Sequence, residues 1–147
     1  MKILLAIDGS PCSELAVEEV ARRPWPAASA VRVLSVVELV TVAGPEAVTP
    51  SQAYYDTVES LAREDVERAA SRLRREATTK LEVESAVCVG FAKQIILDES
   101  EGWGADLIVV GSHGRGLAGR FLLGSVSQAV AAHAKCSVEI VRSRKGR

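Results

Sequence analysis

Aromatic residues, net charge and long apolar runs are all scarce in this sequence. Aromatics make up 4% of its 147 residues, and the formal net charge at pH 7 is −1. A chain with so little net charge has no overall electrostatic attraction for nucleic acid. No apolar run approaches the roughly 20 residues that span a bilayer. We therefore expect a folded protein that engages neither nucleic acid nor a membrane.

Cysteine is scarce as well. Cys12, Cys88 and Cys136 are too few and too far apart to form a disulfide framework. The apolar run Ile3–Ile7 is short and ends at Asp8, so it predicts a first core strand and not a secretion signal. Both features favour a location in the cytoplasm, where thiols stay reduced.

Apolar runs typical of buried strands alternate along the chain with segments of helical periodicity. This alternation predicts an α/β fold, a doubly wound five-stranded parallel sheet with helices on both faces. We expect one domain over residues 1–147, with a long loop at 39–50 and a basic tail at 143–147. The longest predicted helix carries one apolar stripe at helical spacing, formed by Tyr54, Val58, Leu61, Ala62, Val66, Ala69, Leu73 and Ala77. The predicted strands are 3–7, 31–38, 81–89, 107–110 and 137–142. The first predicted helix begins at Pro11, and the other three cover 51–79, 92–103 and 125–134.

The stretch Asp106–Ser127 joins an apolar run to a glycine-rich loop and then to the start of a helix. Glycines allow the backbone to come close to a ligand. The first amide groups of a helix have no partner within the helix, and the helix dipole adds positive potential there. A strand, a glycine loop and a helix start in this order therefore predict a site for an anion, usually a phosphate.

Two familiar nucleotide motifs fit this stretch poorly. Gly111 and Gly116 have the spacing of a P-loop, but Leu117 stands where that motif requires lysine. A G-x-G-x-x-G run begins at Gly114. In a dinucleotide-binding fold this motif opens a βαβαβ unit, but here only one predicted strand follows it, so that unit cannot form. Neither motif explains the glycines.

A third pattern fits without a missing residue. The run Gly111–Gly114 (GSHG) is followed, after nine residues, by Gly124–Ser125. This spacing resembles the G-x-x-G, nine residues, G-[ST] motif of the universal stress protein family, in its ATP-binding branch. The resemblance covers nearly the whole chain, since Ile3–Ser10, Val33–Glu38, Asp106–Ser112 and His133–Cys136 also look like segments of that family.

The resemblance implies the family's fold, with strand order 3-2-1-4-5, and a regulatory stress-response module that binds ATP, with or without Mg²⁺. Asp8 would accept a hydrogen bond from the nucleotide, and Val36 would line the adenine pocket. Gly124–Ser125 would hold phosphates through backbone N–H groups, as expected at a helix start. The nucleotide-binding residues that the resemblance implies are Ala6, Ile7, Asp8, Val36, Val110, Gly111, Ser112, His113, Gly114, Gly124, Ser125 and Val126.

The last predicted strand departs from the family pattern. Members typically have a proline after the cysteine, whereas here Ser137 follows Cys136, and Glu139 lies within the strand. The resemblance implies a homodimer through this strand, but a charge on an edge strand discourages edge-to-edge pairing.

Catalysis is not predicted. His113 beside Ser112 suggests a base and a nucleophile, but no serine lies in a G-x-S-x-G elbow. His133 and Cys136 have no second pair of ligands that would complete a zinc site. We therefore assign no catalytic or metal-binding residue, and we expect any ATP hydrolysis to be slow. Two alternatives stay open: an ATP-hydrolysing or nucleotidyl-transferring enzyme of a related α/β fold, and a protein-interaction module that binds no nucleotide.

Overall fold

A computed structural model describes residues 1–40, 49–114 and 123–142. Most of the predicted long loop, Gly116 and Gly119, and the basic tail lie outside the described residues. Within those ranges, no helix combines the length and the apolar composition that a membrane crossing requires. The elements in chain order are β1 (Lys2–Ile7), α1 (Pro11–Arg22), β2 (Ala30–Glu38), α2 (Gln52–Glu76), β3 (Glu82–Gly90), α3 (Ala92–Trp103), β4 (Leu107–Gly111), α4 (Ser125–His133) and β5 (Ser137–Val141).

The predicted elements are all present, and their ends differ by a few residues. The largest difference is at α2, which ends at Glu76 although helical periodicity predicts a helix to 79. Ala77 leaves the helix in an extended conformation, and the N–H of Thr78 then donates to the carbonyl oxygen of Ala21 at 2.9 Å. A contact with α1 therefore stops the helix, which local periodicity alone cannot reveal.

The five strands are parallel and lie in the order β3-β2-β1-β4-β5, as predicted. In this order β1 is central, with Ile3 beside Val31 of β2 on one side and Leu107 of β4 on the other. The pairing of β1 with β2 ends at Ile7, whereas β2 continues to Glu38 alongside β3. The carboxyl edge of the sheet is therefore stepped beside β1.

Successive strand residues point to opposite faces of the sheet and build two apolar cores. Leu5 and Val33 pack under α1 and α2 on one face. Leu4 and Leu34 pack under α3 and α4 on the other face. These four side chains are fully buried, and each contributes about 1.5–3 kcal/mol through removal from water. The continuous apolar runs of the central strands thus reflect burial on both faces.

Glu139 of β5, an edge strand, has a charged partner within the same chain. Arg23, just after α1, donates from Nη1 to Oε2 at 2.8 Å and from Nη2 to Oε1 at 2.6 Å. Glu139 lies beside Val109 in the sheet, and Val109 belongs to the core under α1. The acid that was expected to oppose edge pairing therefore faces α1, and its charge is neutralised there.

Candidate functional site

A cavity of about 590 Å³ lies at the carboxyl edge of the sheet, beside the ends of β1 and β4. This is where the strand order reverses, the usual ligand site of doubly wound folds. Of the residues predicted for the site, Ser112 is buried and does not line the cavity. All the others do: Ala6, Ile7, Asp8, Val36, Val110, Gly111, His113, Gly114, Gly124, Ser125 and Val126.

The β1 side of the cavity carries the carboxylate of Asp8. The backbone N–H of Ser10 donates to its Oδ1 at 3.0 Å and fixes its direction. Ser10 also caps α1, because its Oγ accepts from the N–H of Ser13 at 3.2 Å. The amide groups at the start of α1 thus have an acceptor within the chain, so this helix start is a weaker anion site than an uncapped one.

The motif glycines are required by close packing of the chain on itself. A Cβ on Gly111 would lie 2.8 Å from the carbonyl carbon of Cys12, in the first turn of α1. A Cβ on Gly124 would lie 3.3 Å from the Cα of His113. A Cβ on Gly114 would lie 2.7 Å from Oδ2 of Asp8, which is a side-chain atom and not backbone. These contacts bring the ends of β1 and β4 and the start of α4 together around the cavity.

The start of α4 faces the cavity without a capping side chain. Gly124 is the N-cap residue, and it has no side chain to accept from the first amide groups. Its own N–H donates to the carbonyl oxygen of Ser112 at 2.8 Å. The hydroxyl of Ser127 donates to the carbonyl oxygen of Gly111, also at 2.8 Å. The helix is therefore held firmly while its first amide groups remain suited to an anion.

Ser112 and His113 form a hydroxyl–imidazole pair. Ser112 Oγ lies 3.0 Å from His113 Nδ1, within hydrogen-bond distance. However, Ser112 is only 2% exposed, and its hydroxyl also lies 3.7 Å from the sulfur of Cys12. A nucleophile must reach its substrate, so this hydroxyl is placed for holding the loop together and not for attack.

Sequence reasoning missed the contribution of α2 to the cavity. The predicted apolar stripe of this helix contains both core residues and cavity-lining residues. The periodicity did not show which of them line the cavity. Other lining residues that the sequence did not single out are Ser13, Leu34, Ser35, Val37, Glu38, Val40, Ala92, Ile96 and Ser127. The α2 residues that line the cavity are Tyr54, Val58, Leu61, Ala62 and Asp65.

The formal charges on the described part of the cavity wall are all negative. They belong to Asp8, Glu38 and Asp65, on three different elements of the chain or their ends. Glu38 accepts from the N–H of Ala92 at 3.4 Å, so it also caps α3. No cluster of three metal-binding side chains occurs among residues 1–40, 49–114 and 123–142. An anion is therefore best accommodated at the α4 start, where backbone amide groups and not carboxylates are available.

Known proteins resemble this chain in sequence and in structure. Residues 1–142 match the universal stress protein family. Universal stress protein A homolog 2 of Coxiella burnetii is 47% identical over 81 residues, which are 52% of this chain and 53% of that protein. The match thus spans about half the length of that relative.

Two solved structures, both below 25% identity, share the fold. One is a universal stress protein in complex with cAMP, with 22% identity, a TM-score of 0.68 and coverage of 98% of each chain. The other is a universal stress protein family protein from Arabidopsis thaliana with AMP bound, with 19% identity and a TM-score of 0.64. That comparison covers 98% of this chain and 92% of the other. Because the family match extends over nearly the whole sequence and the sheet has the same architecture, this chain belongs to the universal stress protein family.

Proposed function

We propose that this protein binds an adenine nucleotide, ATP with Mg²⁺, in the cavity at the carboxyl edge of the sheet. Nucleotide occupancy would change the shape of the cavity rim or the partners of the protein, as in a regulatory module of a stress response. The whole of 1–147 would act as one domain, and a reducing compartment such as the cytoplasm would suit its three free cysteines.

The observation that carries the proposal is the start of α4. Its N-cap residue Gly124 supplies no side-chain acceptor, while Ser10 and Ser51 cap α1 and α2 with their hydroxyl groups. Three or four amide groups at a helix start need acceptors, and a phosphate provides them. The hydroxyl of Ser125, an exposed residue at this start, would add a further hydrogen bond.

The carboxylate of Asp8 supports a nucleotide and not a simple phosphate ion. A carboxylate accepts hydrogen bonds and repels phosphate, so it suits the hydroxyl groups of a ribose. It is also an oxygen ligand of the kind that Mg²⁺ prefers, and Mg²⁺ commonly binds one or two carboxylates together with substrate phosphates. The two related structures contain cAMP and AMP, so adenine nucleotides of different charge occur in this fold.

The proposal includes a homodimer formed through the outer edge of β5. In the sheet β5 pairs with β4, and it stands last in the strand order. Since Arg23 neutralises Glu139 on the α1 side, the acid is not directed at a second copy of the strand. Edge pairing is therefore compatible with this sequence.

The direct test is to denature the purified protein and identify any released nucleotide by mass. The parent is expected to release an adenine nucleotide or to bind added ATP–Mg²⁺, and the double variant Gly114→Val, Gly124→Val is expected to do neither. Gly102→Ala is the matched control, because nothing lies within 4 Å of a Cβ at that position. A parent that neither releases nor binds nucleotide contradicts the proposal. Rapid ATP turnover in the same sample would instead favour an ATP-hydrolysing enzyme.

A further inference from the structure

The outer edge of β3 carries backbone groups that are not paired within the described part of the chain. β3 stands first in the strand order and pairs with β2 alone. At its start, the N–H of Glu82 donates to the carbonyl oxygen of Ser29 at 3.1 Å. At its end, the carbonyl oxygen of Gly90 accepts from the N–H of Leu39 at 3.3 Å. Because both backbone groups of a strand residue point to one side and the side alternates, every second residue from Glu82 to Gly90 faces β2. The residues that face outward are Val83, Ser85, Val87 and Val89.

The two halves of this outer edge differ in protection. In the first half, Nη2 of Arg74 on α2 donates to the outward carbonyl oxygen of Val83 at 3.1 Å. Glu82 and Glu84 add two carboxylates there. The second half, from Ser85 to the residue after the strand, reads SAVCVGF and carries no charge. Soluble proteins usually protect an edge strand with charges, proline or a covering element. That protection stops before Ser85.

Exposed apolar side chains border the unprotected half. Val89 is 46% exposed, and Phe91, just after β3, is 58% exposed. Leu39, which bonds to Gly90, is 42% exposed. Apolar groups that are exposed together commonly mark an interaction site. Unpaired strand backbone beside apolar side chains suits an extended chain that adds to the sheet as a further strand, with main-chain hydrogen bonds and apolar contacts.

A strand without its own helices suits this edge better than a second copy of the protein. α2 packs over β3, and its Arg74 reaches the outer edge, so a second copy would bring another α2 to the same place. Pairing at this edge in addition to the proposed β5 dimer would also extend the sheet from copy to copy without closure. We propose that the outer edge of β3, from Ser85 to Val89, binds an extended, uncharged apolar segment of a partner protein. The choice of partner rests on the proposed homodimer, whereas the edge geometry does not.

A peptide titration tests the edge. The probe is a fluorescein-labelled peptide of alternating valine and threonine with one lysine at each end, and its binding is followed by anisotropy. The same peptide with every valine and threonine N-methylated should bind at least about tenfold more weakly, because it has lost its main-chain donors. Failure of the parent peptide to bind saturably, or equal binding of both peptides, overturns the proposal.

A variant pair tests the strand itself. Val89→Pro removes one outward N–H and should raise the Kd of the peptide about fivefold, the effect of one lost hydrogen bond. Val89→Ala is the matched control, because it shortens the same side chain and keeps the N–H, so it should raise the Kd by less. Equal Kd values for the two variants contradict main-chain pairing at this edge.

Hydrogen exchange, read residue by residue by NMR, locates the peptide. The peptide should slow exchange at Ser85, Val87 and Val89, and it should leave Ala86 and Cys88, which face β2, unchanged. Slowing along β5 instead overturns the proposal. Slowing at the three outward amides that grows with protein concentration in the absence of peptide assigns the edge to a second copy and overturns it as well. Nucleotide release is measured separately on the same sample, so a failure here is distinguishable from a failure of the proposed function.

Discussion

Oδ2 of Asp8 lies 2.7 Å from the position that a Cβ on Gly114 would occupy. Asp8 follows β1 and Gly114 follows β4, so the two parts of the candidate site touch at this point. A side chain at position 114 would enter the space of the carboxylate and displace it. The contact joins the acid expected at the ribose to the glycine loop expected at the phosphates.

Gly114→Ala should therefore weaken nucleotide binding without unfolding the protein. The added methyl group displaces the end of a side chain, which can move, and the displaced carboxylate would lose the charge-assisted hydrogen bond that we propose it makes to the ligand. Such bonds contribute about 1.5–3 kcal/mol, so the Kd for ATP–Mg²⁺ should rise about tenfold or more. Calorimetric titration measures the Kd, and thermal unfolding without ligand should be close to that of the parent. An unchanged Kd would show that Asp8 does not contact the nucleotide.

Gly111→Ala should act on the fold itself. Its Cβ would lie 2.8–2.9 Å from backbone atoms of Cys12 and Ser13, and backbone cannot move aside as a side-chain tip can. We expect a loss of about 1–3 kcal/mol in the free energy of unfolding, typical of overpacking. Gly102→Ala, in α3 with open space around it, should instead gain about 0.5–1 kcal/mol from helix propensity. Urea unfolding of both variants checks the opposite signs.

Glu19 should contribute to the loss of stability in acid. Burial alone would raise the pKa of its carboxyl group, but hydrogen bonds from Arg22 and Arg23 outweigh burial and lower the pKa below the ordinary value of 4.5. A lowered pKa in the folded state gives stability that is present above pH 4.5 and is lost as the pH falls through the folded pKa. Glu19→Gln should remove this part of the pH dependence, with an effect of about 1 kcal/mol or less for a partly exposed pair. Unfolding curves between pH 3 and 7 measure it, with Glu18→Gln, an exposed neighbour on α1, as control. An unaltered acid profile in Glu19→Gln would contradict the assignment.

Two of the cysteines should react slowly in the folded protein. Burial raises the pKa of the Cys88 thiol, and the nearby carboxylate of Glu99 raises it further. Burial also raises the pKa of the Cys136 thiol. Because the thiolate is the reactive form, both should react with a thiol reagent at pH 7.5 more slowly than in urea. Peptide mass mapping after timed alkylation separates the three cysteines, and rapid folded-state labelling of Cys88 or Cys136 would contradict the prediction.

The ion pair between Arg23 and Glu139 should support the proposed homodimer. Arg23→Ala leaves the carboxylate of Glu139 without its two hydrogen bonds beside an edge strand, which opposes pairing with a second copy. We expect a dimer for the parent by sedimentation equilibrium and a weaker dimer for Arg23→Ala. Arg22→Ala is the matched control, because Arg22 pairs with Glu19 and not with Glu139. A monomeric parent would contradict dimerisation. A dimer of Arg23→Ala as tight as that of the parent would show that the ion pair with Glu139 does not support dimerisation.

Much of the fold could be predicted from local patterns. Pro11 and the Ser10 cap start α1 where the sequence indicates, and Gly104, in the left-handed conformation, follows α3. Such signals act within one turn of the chain, so they need no knowledge of the fold. The end of α2 was predicted wrongly because it is set by a hydrogen bond from Thr78 to Ala21, across the gap between two elements.

The candidate site was predictable in part. The spacing of Gly111, Gly114 and Gly124 indicates a loop and a helix start, and their packing explains why glycine stands there. The sequence could not show that α2 supplies a wall, because Tyr54 and Leu61 have the same apolar periodicity as the core positions Val66 and Leu73. Whether such a residue is buried depends on where the sheet ends.

The sequence by itself determined the alternation of strands and helices and the glycine spacing, because periodicity and backbone sterics are local properties. Tertiary structure decided which distant residues meet. The parallel order of the strands places Asp8 against Gly114 and Glu139 against Arg23, which lie 116 residues apart in the sequence. It also turns the first half of the α2 stripe from core into cavity wall, because the first turns of α2 lie at the carboxyl edge of the sheet, where the hydroxyl of Tyr55 accepts from the N–H of Val40 just after β2. Contacts of this kind follow from strand order and register, which no single segment of the chain contains.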